Sequence, residues 1–130
     1  MHLKIITHDC VVFDEDVNEI YARGVDGEFG ILQGHVPLMT ALDIGVTKAV
    51  ADSNVHMFTT MGGIFQFKDD NALILTDTAE AGQDIDVARA KSALERAEAR
   101  LADKNAEIDA RRAEAALARA KARLKVAMHE

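Results

Sequence analysis

Residues 85–101 read IDVARAKSALERAEARL and begin a charged, alanine-rich arm. Apolar side chains recur there at spacings of three and four, as Val87, Ala90, Leu94, Ala97 and Leu101, which is the period of one helical face. The same period predicts a second helix whose stripe is Ala110, Ala113, Leu117, Ala120, Leu124 and Ala127.

The ends of these helices carry capping residues. Asp84 or Asp86 can cap the first helix and Asn105 the second, with Glu107 favourably placed in its first turn. Residues 103–105 therefore predict a tight turn between two antiparallel helices.

The seam between the helices holds few large side chains. Full burial of one such side chain stabilises by roughly 1.5–3 kcal/mol, and these would be only partly buried. A ligand at about 100 times its Kd contributes roughly 2.7 kcal/mol, enough to bias so thin a seam. A movable arm and a static hairpin both fit the periodicity.

The residues before the arm have a different composition. All eight glycines, the only proline and all six aromatic residues lie at or before Gly82, whereas 15 of residues 85–130 are alanine. This break predicts two domains, 1–84 and 85–130. Runs of strand-forming residues flank residues 52–54 and 68–71, which predicts two hairpins, and residues 25–28 predict a turn. A mixed fold, β then α, with a small sandwich or barrel follows.

The charge is divided between the same two parts. Residues 1–84 carry 14 acidic and 4 basic side chains, and residues 85–130 carry 8 and 11. An acidic body argues against nucleic-acid binding, which needs concentrated positive charge. The sequence has no apolar run long enough to span a membrane and no secretion signal, and its lone Cys10 suits a reducing cytosol.

No catalytic or metal-binding set is evident in the sequence. His8 and Cys10 alternate in a predicted strand, where they read as a solvent-facing or core pair rather than a thiol catalyst. The other histidines lack metal-ligand spacing. Residues 14–16 (Asp-Glu-Asp) lack the alternation and glycine of a calcium loop and predict a solvated acidic turn.

Residues 27–38, GEFGILQGHVPL, form the most distinctive loop. Their glycines suggest a phosphate loop, but the Lys-Ser/Thr that completes one is missing. The segment would expose a carboxylate, an imidazole and a proline-fixed apolar tip. A binding loop and a tight sandwich corner both remain open.

Arginines of the arm share helical faces. Arg89 and Arg96 lie seven residues apart, and Arg119 and Arg123 lie one turn apart. In an antiparallel hairpin these pairs could converge on a polyanion such as a nucleotide triphosphate, which the planar guanidinium fork suits. A solvated helical face is the alternative.

An ordered set of motifs resembles the epsilon subunit of bacterial F-type ATP synthases. The set comprises residues 27–38, followed by TAL (40–42), GV (45–46), GGIF (62–65), LTDTAE (75–80) and IDVARA (85–90). The resemblance covers essentially the whole chain and implies a ten-stranded β-sandwich followed by an antiparallel two-helix hairpin.

The resemblance also implies a place in the central rotor of a proton-translocating synthase. The subunit is not itself catalytic and needs no cofactor, and its sandwich binds the gamma subunit and the ring of c subunits. It would lie peripherally at the cytoplasmic face of the bacterial inner membrane. The implied rotor-binding residues are Glu28, His35, Val36, Pro37 and Leu38. Gln33 stands where the family usually has proline, which predicts a freer loop.

In the family the helices regulate the complex. Extended along gamma, they block hydrolysis, and a basic second helix meets the catalytic alpha/beta head through the beta subunit. Here Arg111, Arg112, Lys121 and Lys125 would make that contact. In some members the folded hairpin binds ATP, and the matching positions are Glu80, Ile85, Asp86, Arg89, Ala90, Arg96, Arg119 and Arg123. A free-standing ATP-sensing module is the alternative function.

Overall fold

The computed structural model describes residues 1–103 and 110–128. In this part of the chain eight strands precede a short 3₁₀ turn and two helices. They are β1 (His2–Ile6), β2 (Val11–Asp16), β3 (Glu19–Gly24), β4 (Gly27–Leu32), β5 (Leu38–Ala51), β6 (Asn54–Lys68), β7 (Asn71–Leu75), β8 (Ala79–Ala81), the 3₁₀ turn (Gly82–Asp84), α1 (Val87–Ala102) and α2 (Ala110–Ala127). The predicted order, β then α, is confirmed.

The strands form one sheet that folds over on itself. Their order is β2-β1-β7-β6-β5-β3-β4, with β8 paired to β6 beside this path, and only the β1–β7 pair is parallel. Ile5 of β1 and Ile31 of β4 lie far apart in this order, yet both belong to one buried cluster. The sheet therefore closes into a sandwich around fully buried Phe65, whose ring centroid lies 5.1 Å from that of Phe29.

The prediction of ten strands is wrong, because two long strands each run through the whole body. Strands β5 and β6 pair from Leu38↔Phe67 to Ala51↔Asn54, and the register skips only Asp43 and Gly62. Gly62 and Gly63 have φ of 78° and 115°, which interrupts the strand geometry without ending the ladder. Each strand thus serves both layers of the sandwich.

Both predicted hairpins are confirmed. The β5–β6 connection turns after Ala51, and β6–β7 turns through Asp69 and Asp70, whose φ values of 52° and 63° are those of a primed hairpin turn. The predicted turn at residues 25–28 is also present, where Gly24 pairs with Gly27 across β3 and β4.

Two local predictions near the N-terminus are wrong. His8 and Cys10 lie in the exposed connection between β1 and β2, where the Thr7 N–H donates to the Cys10 carbonyl at 2.9 Å, rather than in a strand. Asp14 and Asp16 end strand β2 instead of forming a turn, because the imidazole of His2 hydrogen-bonds both carboxylates across the strand pair. Both hydrogen bonds raise the pKa of His2, and the bond to Asp14 has the larger effect.

The helices pack as an antiparallel pair along the predicted seam. Asp86 caps α1, since its Oδ1 accepts the Arg89 N–H at 3.1 Å. Ile85 and Ala90 at the start of α1 cluster with Val126 at the end of α2, which fixes the antiparallel sense. The predicted cap Asn105, its neighbour Glu107 and most of the predicted turn lie outside the described residues.

Helix α2 also has a second buried face, which the sequence did not reveal. Ala122 and Val126 are buried although they lie off the seam, because α2 contacts β5, β6, β8 and the 3₁₀ turn. Helix α1 packs chiefly on α2. The arm therefore packs against the body through α2.

A buried hydroxyl pair gives a test of the sandwich interior. Thr47 and Thr60 are both fully buried, and their Oγ1 atoms lie 2.9 Å apart. We expect Thr47→Val to cost about 1–3 kcal/mol of unfolding free energy, because the Thr60 hydroxyl then loses its partner. The double variant Thr47→Val/Thr60→Val should cost less than the sum of the single changes. Urea denaturation measures all three, and strictly additive costs would contradict the pairing.

Candidate functional site

The junction between body and arm is a small apolar cluster. Ile85, between the 3₁₀ turn and α1, is buried against Ala90 and Val126. Val46 of β5 and Met57 of β6 pack against this cluster from the sandwich. Two strands and both helices therefore meet at the residue where the arm begins.

One ion pair spans the same junction. Arg123 Nε donates to Glu80 Oε1 at 2.8 Å, and their side chains are 32% and 27% exposed. The N–H of Glu80 donates to the hydroxyl of fully buried Thr59 at 3.0 Å, which holds β8 in place. The carboxylate is thus presented by the sandwich and the guanidinium by α2.

The arginines of the arm share one edge of the hairpin. Arg89 and Arg96 each precede a buried seam alanine of α1, and Arg119 precedes the buried seam alanine Ala120 of α2. In an antiparallel pair, residues that directly precede seam positions fall on the same edge, since each residue advances by about 100°. The edge comprises Arg89, Arg96, Arg100, Arg112, Arg119 and Arg123.

The predicted nucleotide-binding residues have different surroundings in the structure. Ile85 and Ala90 are buried in the junction cluster, and the Asp86 carboxylate caps α1. Arg89 and Arg96 are exposed and Arg119 is half-buried; within residues 1–103 and 110–128, no ion pair or hydrogen bond is seen for these three guanidinium groups. The structure thus pairs Arg123 with Glu80, while the described residues offer Arg89, Arg96 and Arg119 no such partner.

The opposite edge of the hairpin carries lysines. Lys121 and Lys125 line a cleft of about 960 Å³ between α2 and the sandwich, together with Glu28 of β4 and Arg23 of β3. Arg111 and Arg112 are exposed near the start of α2. Of the predicted contacts for a catalytic partner, two therefore face the body in this docked position of the arm.

The predicted rotor loop is held by local hydrogen bonds and a ring contact. The Leu32 carbonyl accepts the His35 N–H at 3.1 Å across Gly34, which has φ of 86°. The His35 ring is half-buried edge-on to Phe67, and its Nδ1–H donates to the Val36 carbonyl at 2.6 Å. Val36 and Pro37 form an exposed tip, and Leu38 is half-buried at the start of β5.

An apolar row, exposed except for its half-buried Ile6, crosses the sheet near this loop. Residues paired at one level on adjacent strands are Val11, Ile6, Leu75, Ile64 and Ala41, here called the outer band. Their sequence neighbours, such as Ile5, Ile74 and Phe65, are buried, so the outer band faces away from the core. Contiguous exposed apolar patches are common at sites of protein interaction. The outer band was not predictable from the sequence, because its members align only once the strand register is known.

Among the described residues, 1–103 and 110–128, neither a metal-binding cluster nor a membrane-spanning helix is present. No cluster of three or more histidine, cysteine or carboxylate side chains is arranged to hold a metal ion there. No helix among these residues is both long enough and apolar enough to span a bilayer.

The fold and its surfaces define a β-sandwich protein with a docked two-helix arm. Comparison with known sequences identifies the family of the chain. Residues 1–82 match the beta-sandwich domain, and residues 83–128 the long alpha-helix domain, of the ATP synthase delta/epsilon chain. The chain belongs to this family, and epsilon chains of bacteria are among its curated relatives.

Individual relatives agree with that assignment. The ATP synthase epsilon chain of Desulforamulus reducens is 44% identical over 104 residues, covering 80% of this chain and 79% of the relative. That of Carboxydothermus hydrogenoformans is 43% identical over 100 residues, covering 77% and 75%. A chain of the Euglena gracilis mitochondrial ATP synthase structure (OSCP, F1 and c-ring) superposes with a TM-score of 0.82 at 25% identity, covering 98% of this chain and 80% of that one.

Proposed function

We propose that the chain is a non-catalytic rotor subunit of a proton-translocating F-type ATP synthase, located peripherally at the cytoplasmic face of the bacterial inner membrane. The outer band carries this proposal, since it is an exposed apolar surface on the sandwich that the arm leaves uncovered. Its occupant would be the gamma subunit. Glu28 and His35 to Leu38, the residues that match the family's rotor-binding motif, would meet the c-ring.

The arm would regulate hydrolysis by the catalytic head. Lys121 and Lys125 face the body while the arm is docked, and undocking would free them, with Arg111 and Arg112, to meet an acidic surface of the beta subunit. Within the described residues the arm is held by contacts of α2 with β5, β6, β8 and the 3₁₀ turn, by the cluster around Ile85 and by the Arg123–Glu80 ion pair. An arm that is held through one of its two helices suits a brake with two positions.

ATP would favour the docked hairpin. Like charges one turn apart, as in Arg96 with Arg100 and Arg119 with Arg123, repel and destabilise helices. A triphosphate bound along this arginine edge would replace that repulsion with charge-assisted hydrogen bonds. Its binding would thus hold the two helices together and keep the brake off.

Calorimetry on the isolated full chain tests the nucleotide site. If ATP binds, we expect Arg89→Ala and Arg123→Ala each to weaken the affinity by about tenfold or more, the range for a lost charge-assisted hydrogen bond. Lys91→Ala is the matched control, because Lys91 follows a seam residue of α1 and lies on the other edge. No binding heat at millimolar ATP would remove the site, and equal losses in all three variants would indicate a nonspecific charge effect.

A further inference from the structure

Gly82 lies in close contact with the backbone at the end of α2. A Cβ placed on Gly82 would come 2.8 Å from the carbonyl oxygen of Val126 and 3.4 Å from the Cα of Ala127. Real Cβ atoms essentially never approach another atom this closely. The obstacle is helix backbone, which cannot turn aside as the end of a flexible side chain can.

Backbone conformation does not account for this glycine. The glycines with positive φ are Gly27, Gly34, Gly62 and Gly63, and Gly82 is not among them. Alanine is therefore compatible with the dihedral angles of the 3₁₀ turn, and where only conformation matters Gly→Ala stabilises a fold slightly. The close approach of α2 is the remaining structural reason for glycine at this position.

The contact lies at the junction where the arm packs against the body. The arm packs against the body through α2. In the sequence, Gly82 lies between the ion-paired Glu80 and the buried Ile85. We infer that Gly82 is the steric determinant of arm docking: the absent side chain lets the last turn of α2 lie against the 3₁₀ turn, and one added methyl group shifts the arm toward the undocked state.

This inference concerns a contact inside the isolated chain, so it can be tested without ATP or any partner. It rests on the proposed function only for its consequence in the complex. There, a chain with an undocked arm would brake hydrolysis more strongly. Failure of that consequence alone would count against the brake and leave the docking contact standing.

Hydrogen exchange in the full chain is the test, without nucleotide. In Gly82→Ala we expect amides of residues 79–86, and of the last two turns of α2, to exchange at least about tenfold faster, because overpacking against fixed backbone favours opening. Amides of β1 and β7 should be unchanged, which shows in the same experiment that the sandwich is folded. Gln83→Ala, an exposed neighbour in the same turn, is the matched control and should exchange as the natural chain does.

Side chains of increasing size at position 82 test whether the effect is steric. Gly82→Val should accelerate exchange at the same amides more than Gly82→Ala, since a larger side chain is harder to accommodate. Unchanged or slower exchange in Gly82→Ala would overturn the inference, because it would show that alanine fits against the docked helix. Equal acceleration in Gln83→Ala would overturn it as well, since the effect would then belong to the turn and not to the contact with α2.

Discussion

Replacing Ile64 with aspartate is expected to weaken binding to the gamma subunit by at least about 100-fold, or roughly 2.7 kcal/mol. Ile64 lies in the outer band between Ala41 and Leu75, and it is 47% exposed. An aspartate there would be buried without a partner in an apolar interface, which is strongly unfavourable. Titration calorimetry with purified gamma measures the change.

Val55→Asp is the control for this substitution. Val55 lies on the same strand, β6, with a similar exposure of 43%, but beside the β5–β6 turn and away from the outer band. Its replacement should leave gamma binding and thermal stability nearly unchanged. If both variants bind as the natural chain does, the outer band is not the gamma surface.

Replacing Gly63 with alanine is expected to remove about 3–5 kcal/mol of unfolding free energy, combining backbone strain with overpacking. Its φ of 115° is unfavourable for any side chain, and a Cβ would come 2.0 Å from the carbonyl oxygen of Leu75 on β7. The loss would be a large share of the roughly 5–15 kcal/mol typical of a domain. Urea denaturation followed by circular dichroism measures it.

Gly62→Ala separates the two causes. Gly62 also has a positive φ, 78°, but the nearest atom to its Cβ position is the Leu42 carbonyl oxygen at 3.9 Å. It should therefore show backbone strain alone, about 1–2 kcal/mol. Equal losses in Gly62→Ala and Gly63→Ala would contradict the steric argument for Gly63.

The arm was predictable because helical periodicity is local. The spacing of Leu94, Ala97 and Leu101 identifies the seam of α1. Asp84 and Asp86 were both candidate caps, and the structure shows that Asp86 is the one that caps α1. The second buried face of α2 was not predictable, since Ala122 and Val126 stand among many alanines whose burial depends on the sandwich. The same difficulty applies to Gly82, whose role depends on a helix more than 40 residues away.

The strand pattern was predictable in its turns but not in its surfaces. Residues 73–75, Leu-Ile-Leu, form a continuous apolar run, so alternation does not show that Leu75 faces outward. The acidic end of β2 read as a turn because its pairing with His2 is 12 to 14 residues distant. In both cases the conformation depends on pairing between residues that are distant in the sequence.

ATP hydrolysis by the catalytic complex tests the central claim most directly. Purified alpha, beta and gamma subunits would be assayed with the full chain and with a chain lacking residues 86–130. We expect the full chain to slow hydrolysis and the shortened chain to bind gamma without slowing it, because the proposed function makes the arm the brake and places the gamma surface on the sandwich. Equal hydrolysis rates with the two chains, both bound to gamma, would contradict the account.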